Sequence, residues 1–272
     1  MYYTNGFEFF FRKLSKYEDD KVNKRITEFR LGQYIYNPRS INADDIRKND
    51  RPFAGYLFAK IGKNVFYQNE SVFKMDVSLG FVGPNSFAEE TQKGFHALFN
   101  YKKVRGWQHQ IKNVLALQTH VLFSKKVVNH KKIDFNFQSE ANLGAVSTGI
   151  SSGFLSRISL KQLIPIFNSN LHGASLNRDI RKIKSECEFY FYIAPSINYQ
   201  LYDATIQGSL FNNNSPVTYD LIPFRFNGES GFKYRKNNLN LSYAFLYRGK
   251  ELRNDKVSGY FYGSVSVSYL LK

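Results

Sequence analysis

A single cysteine, Cys187, rules out an intramolecular disulfide and any metal knuckle built from thiolates. No apolar run reaches the roughly 18 residues that a membrane-crossing helix needs, and the mean hydropathy is −0.41. Transmembrane helices are thereby excluded. A membrane barrel is not, because its strands place only alternate residues on lipid. The start, Met1-Tyr2-Tyr3-Thr4, lacks the basic, apolar and small-residue regions of a secretory signal. Such a start fits a cytoplasmic chain, or a shortened one that carries no address. Acidic residues are scarce: 22 Asp and Glu stand against 38 Lys and Arg, a formal charge of +16. That surface attracts polyanions, whether nucleic acid, phosphorylated lipid or an anionic membrane face, and charge alone does not choose among them.

Tryptophan occurs once against 19 Tyr and 26 Phe, so the apolar side chains are of the kind that favours strands. Alternation of apolar and polar residues recurs from end to end. In 72–81 the set Phe73, Met75, Val77, Leu79 and Phe81 alternates with Lys74, Asp76, Ser78 and Gly80. The same period appears in 133–138, 239–248 and 261–269, and further strands are predicted at 4–14, 26–36, 53–63, 114–123, 143–154, 160–167, 189–202, 217–226 and 231–236. Many of these are about 9–11 residues long, enough to cross a bilayer as tilted strands. Tyr34, Tyr36, Tyr199, Tyr202, Tyr260 and Tyr262 crowd predicted strand ends, where interfacial aromatic girdles would lie. With no fixed-period repeat and no linker, residues 1–272 are expected to form one domain, an all-β antiparallel transmembrane barrel.

One stretch breaks the pattern. Ser86-Phe87-Ala88-Glu89 has capping-box spacing and predicts a short helix over 87–99. Gln92 and His96 then stack one turn apart on one face. Ala88, Phe95 and Leu98 would pack against the barrel wall. His96 stands apart from His109, His120, His130 and His172, read as structural or solvated, because it lies on the only predicted helix beside a hydrogen-bonding glutamine.

Gly83-Pro84, then Gln92-x-x-x-His96, then Gly106-Trp107-x-x-Gln110, together with Tyr3-Thr4-Asn5-Gly6, Gln33-x-x-Tyr36-x-Pro38 and Asp50-Arg51-Pro52-Phe53-Ala54-Gly55, resemble the motifs of the lipid A 3′-O-deacylases. These are outer-membrane barrels that trim acyl chains from lipopolysaccharide. The likeness in motifs covers residues 3–110; beyond about 115 only the strand pattern is similar. The resemblance implies about twelve strands and a site between the wall and a helix. It assigns the catalytic histidine to His96, as general base on water, a role suited to a side-chain type that titrates near neutrality. Gln92 would orient His96 or the oxyanion, and Thr4 matches a site threonine. Calcium would polarise the ester. The basic excess gains a target in lipid A phosphates, not nucleic acid, and the protein is expected to be a monomer of the bacterial outer membrane.

The chain also departs from that pattern. The family's metal-binding Asn-Asp pair precedes the Tyr-Thr-x-Gly motif, where only Met1 and Tyr2 stand. Its site glutamate falls on Lys102, and its site lysine falls near Ala43, with Arg39, Arg47 and Lys48 in the neighbourhood. The calcium ligands are therefore incomplete. Two expectations follow: an upstream segment that supplies a signal peptide and a first strand, or a barrel that has lost its chemistry. The rivals are a porin-like or lipid-binding barrel without activity, and a soluble basic β-protein that binds nucleic acid through stacked aromatics. The last residues, Tyr269-Leu270-Leu271-Lys272, lack the aromatic end common in such barrels.

Overall fold

The computed structural model describes residues 3–16, 18–40, 45–177, 187–211, 214–254 and 257–271, and the Tyr3 and Thr4 side chains lie outside that description. Eleven strands form one antiparallel meander: β1 (Tyr3–Ser15), β2 (Val22–Tyr36), β3 (Ala54–Tyr67), β4 (Val72–Val82), β5 (Val114–Asn129), β6 (Ile133–Gly144), β7 (Ser147–Ile158), β8 (Cys187–Asp203), β9 (Phe224–Lys236), β10 (Leu239–Gly249) and β11 (Gly259–Tyr269). Each pairs with its neighbours in sequence. Among the described residues two α-helices interrupt them, α1 (Ala88–Leu98) and the single turn α2 (Ala204–Gln207).

Polarity is reversed relative to a soluble protein. Phe7, Phe9 and Phe11 of β1, Leu31 of β2, Ile61 of β3, Leu79 of β4 and Leu115 of β5 are exposed on the outer face. The alternate positions point into the barrel as ion pairs: Arg12 with Glu28, Arg30 with Glu8 and Glu28, and Lys60 with Asp76. Apolar side chains outside and a charged interior suit a sheet wrapped in lipid. A water-soluble protein would not cover its exterior this way, and the nucleic-acid reading loses its support.

The sequence placed three elements differently. Residues 143–154 were expected as one strand, but a turn at 145–146 separates β6 from β7, and 217–223 forms a loop before β9. Residues 160–167 are not a strand. Pro165 has no N–H for a ladder, and Ile166 instead enters the core with Leu171, Ala174, Ile26, Phe66 and Tyr190. The described part of the segment after β7, residues 160–177, packs inside the barrel at one end. Lys24 donates to the carbonyls of Phe167 (2.7 Å) and Ala174 (2.8 Å), Lys74 to His172 (3.0 Å), Arg157 to Ile164 (3.1 Å) and Arg235 to Asn168 (2.8 Å). Cations from four strands thus hold a plug.

The girdle expectation also fails in part. Tyr34, Tyr36 and Tyr202 belong to an interior cluster, and Tyr260 and Tyr262 line an inner cavity; of the six only Tyr199 faces out. Strand parity decides this: Tyr34 and Tyr36 share the inward face of β2 with Glu28 and Arg30. Phenylalanine is the commonest large side chain on the lipid face.

Tight connections at 68–71, 130–132 and 237–238 mark one end, with the plug. The other end carries the longer segments 37–53, 83–113, 204–223 and 250–258, the external end by the usual arrangement of such barrels. Because eleven is odd, β1 and β11 run in the same direction, and among the described residues they do not pair. They instead flank two cavities, one of about 610 Å³ between Glu8 and Phe10 of β1 and Tyr262 and Ser264 of β11, the other of about 600 Å³ closer to the tight-turn end.

Candidate functional site

At the external end the outer face of β2 and β3 stops meeting lipid. Gln33 and Ile35, which follow Phe29 and Leu31 on that face, are buried. The cover is the segment after β4. Gly83, at φ 100°, donates its N–H to Gly55 O (2.9 Å) and opens a 3-10 turn, Pro84–Ser86. Phe87 in the left-handed region then starts α1.

The capping box predicted from Ser86 and Glu89 is not formed. Ser86 lies inside the preceding turn, where its Oγ donates to Gly83 O (2.6 Å), and Glu89 pairs with Lys93 (2.6 Å). The carbonyl of Ser86 accepts from Gln33 Nε2 (2.6 Å), tying the turn to the wall. Gly55 makes this approach possible: a Cβ there would stand 2.0 Å from Ser86 Oγ and 2.2 Å from Ala88 Cβ.

The helix also faces the wall with a different side from the one expected. Ala88 and Gln92 are its buried residues, whereas Phe95 and Leu98 are exposed. Trp107 decides the rotation. Its indole, 1% exposed, donates to Gln92 Oε1 (2.9 Å) and sits in a cluster with Ile35, Phe53, Ala88 and Val104. Gln92 Nε2 is left as a buried donor with no partner.

His96 lies half-buried near the carboxyl end of α1. Its Nδ1 is 2.6 Å from the carbonyl of Lys102, and its ring meets Tyr101 edge-on at 5.7 Å. A carbonyl only accepts, so Nδ1 carries the proton of this bond, and in the neutral ring the lone pair is on Nε2. No hydrogen bond joins His96 to Gln92; spacing puts them side by side, and Trp107 takes the glutamine. The backbone at Lys102 was not foreseen as an orienting group, because the sequence displays only its side chain.

The remaining motif residues frame this arrangement. A bulge between Tyr3 and Asn5, opposite Ile35 and Tyr36, puts Thr4 at an irregularity of β1, though its side chain lies outside the described residues. Arg51, fully buried, donates to Thr205 Oγ1 (2.9 Å) and lies over the Tyr36 ring at 4.6 Å, which joins the 37–53 segment to α2. Asp50 accepts from the Arg39 backbone (2.9 Å), and burial, with Asp50 close by, raises the pKa of the Tyr219 phenol. Ala43 lies outside the described residues. His120 stands in the lumen between Asp76 (3.0 Å) and Glu140 (3.6 Å), away from the wall site.

Among the described residues no three His, Cys, Asp or Glu side chains gather as metal ligands. At the wall site Glu89 is tied to Lys93 and Gln110, and position 102 is a lysine. These residues do not fit the calcium that the sequence resemblance implies.

Comparison with known proteins agrees with this geometry. No curated protein sequence matches the chain. A solved structure, LpxR from Salmonella typhimurium, superposes with a TM-score of 0.78 at 17% identity, covering 99% of this chain and 90% of that one, and so shares its fold. The family model described as outer membrane protein LpxR matches residues 1–271. With that match over nearly its full length, the chain belongs to the LpxR family of outer-membrane proteins.

Proposed function

We propose that this outer-membrane, lipid A deacylase-like protein is a carboxylic ester hydrolase that removes an ester-linked acyl chain from lipid A, with His96 as general base. The observation that carries the reading is the bond from His96 Nδ1 to the Lys102 carbonyl, which leaves Nε2 as the lone-pair nitrogen. Nε2 takes a proton from water as the water attacks the ester carbonyl, and returns it to the leaving alkoxide. Gln92 serves the oxyanion rather than the histidine. Its Oε1 is occupied by Trp107, and its Nε2 is a positioned donor in a desolvated place. Thr4 is assigned to the same site by its motif.

A twelfth strand, antiparallel to both β1 and β11, fits the seam between them and would give the even number that closed barrels of this type have. The protein works as a monomer in this reading, because closure leaves no sheet edge for a second copy. The rival with an observation in its favour is a lipid-binding barrel without hydrolysis, since Lys102 stands where the family pattern has a glutamate. Mass spectrometry of lipopolysaccharide incubated with the folded protein, with and without calcium, separates them: loss of one acyl chain supports hydrolysis, and intact lipid supports the rival. A porin-like role has no support, because the plug occupies the barrel.

A further inference from the structure

Helix α1 leaves a face without a partner. Beyond the docked turns of Ala88 and Gln92, the carboxyl end of the helix and the turn after it carry Phe95, Leu98, Phe99 and Tyr101, with Leu98 78% and Phe99 52% exposed. The rings are assembled rather than splayed. Phe95 and Phe99 have centroids 4.6 Å apart, and Phe99 stacks on Tyr101 at 6.0 Å. Together they form one apolar lip beside His96, whose ring touches Tyr101. A contiguous exposed apolar patch marks a contact surface rather than a solvated one.

Three observations select its occupant. The first is continuity with the lipid face. Leu57 and Phe81 are paired across β3 and β4 on the outer face, and Gly55, the seat of Ala88, is two residues further along β3. At about 3.3 Å per residue, α1 begins roughly 7 Å along the strand from a lipid-facing row. The second is charge: the exposed Lys102 and Lys103 follow the lip directly. Phosphate groups bind such ammonium groups. The third is the form of the element, a short helix with aromatic and aliphatic side chains on its unpartnered side and lysines beside them, the pattern of helices that lie in a membrane interface.

We propose that the lip of Phe95, Leu98, Phe99 and Tyr101 is inserted among the acyl chains of the external leaflet, with Lys102 and Lys103 on lipid phosphates. The partner is a phosphorylated-lipid surface. α1 is then an interfacial helix, and His96 stands at the boundary where polar headgroup gives way to chain. Insertion rests on the surface itself; the use of that boundary for an ester rests on the hydrolase reading.

The test is Leu98→Trp in the full chain, reconstituted in vesicles of phosphatidylcholine and phosphatidylglycerol with or without brominated acyl chains. The parent supplies the baseline, since its one tryptophan, Trp107, is buried. Insertion predicts that the added emission is blue-shifted, is quenched at least twofold more by brominated lipid than the parent's, and is little affected by acrylamide. Emission typical of indole in water, quenched by acrylamide and unchanged by bromine, overturns the proposal. For the position of His96, Leu98→Asp with Phe99→Asp is assayed on lipid A in vesicles and on lipid A dispersed in detergent. A loss of tenfold or more in vesicles alone supports the boundary placement, and equal losses in both overturn it. If the parent releases no acyl chain at all, the hydrolase reading fails, and the quenching result still decides insertion.

Discussion

Replacing Gly55 by alanine tests how α1 is held against the barrel. The added Cβ would stand 2.0 Å from Ser86 Oγ and 2.2 Å from Ala88 Cβ. An ordinary contact begins at about 3.5 Å, so the turn and the helix must retreat by more than about 1 Å. Overpacking of that kind costs about 1–3 kcal/mol. At about 2 kcal/mol the balance between docked and displaced helix moves roughly 30-fold, since each 1.4 kcal/mol is tenfold. The retreat pulls Gln92 from Trp107, which reports it as the only tryptophan: its emission should shift to the red and become accessible to acrylamide. Acyl release should fall in parallel. Adding Ala88→Gly removes one of the two clashes and should restore part of both signals. If Gly55→Ala leaves emission and activity unchanged, the close packing of α1 on β3 is not what positions the site.

Other outcomes follow from the same contacts. Gln92→Leu leaves the buried Trp107 N–H unpaired, a cost of about 1–3 kcal/mol that a lowered unfolding midpoint would register. The same change should reduce acyl release by about 10²–10³-fold if Nε2 serves the oxyanion. Arg157 and Asp134 are paired with no exposure of either side chain. Arg157→Met alone should therefore destabilise the barrel by about 3–5 kcal/mol in heat-modifiability gels, and adding Asp134→Asn should recover part of that loss. In planar bilayers the protein should show no steady ion conductance, whereas deletion of residues 160–176 should open one; a porin-like current in the parent would contradict the plug.

The barrel was legible because alternation depends only on which neighbours are apolar, and a strand between lipid and a polar lumen repeats that signal on every pass. Residues 72–81 show it without interruption, and they form β4. Which face is inside was harder to read. Tyr34 and Tyr36 were expected at the membrane surface, but parity with Glu28 and Arg30 turns them inward. The plug was misread because 160–167 is apolar enough for a strand, whereas its carbonyls at Ile164 and Phe167 are met by the distant cations Arg157 and Lys24 and those at Pro165 and Ile166 by its own backbone. The helix was legible in place and length, yet its rotation was not. That depends on Gly55 and Trp107, which come from separate segments. Gln92 and His96 were found by spacing and family likeness. Their separate partners, Trp107 and the Lys102 carbonyl, were set by tertiary contacts that spacing does not encode.

The central claim is that His96 acts as the base in lipid A deacylation. The direct measurement is acyl release from purified lipopolysaccharide, followed by mass spectrometry, for the folded parent and for His96→Ala, with folding of each verified by heat modifiability and calcium supplied in both. The account predicts loss of one ester-linked acyl chain with the parent and a rate lower by about 10²–10⁴-fold in the variant. Equal rates in the two, or a folded parent that leaves lipid A intact, would contradict it.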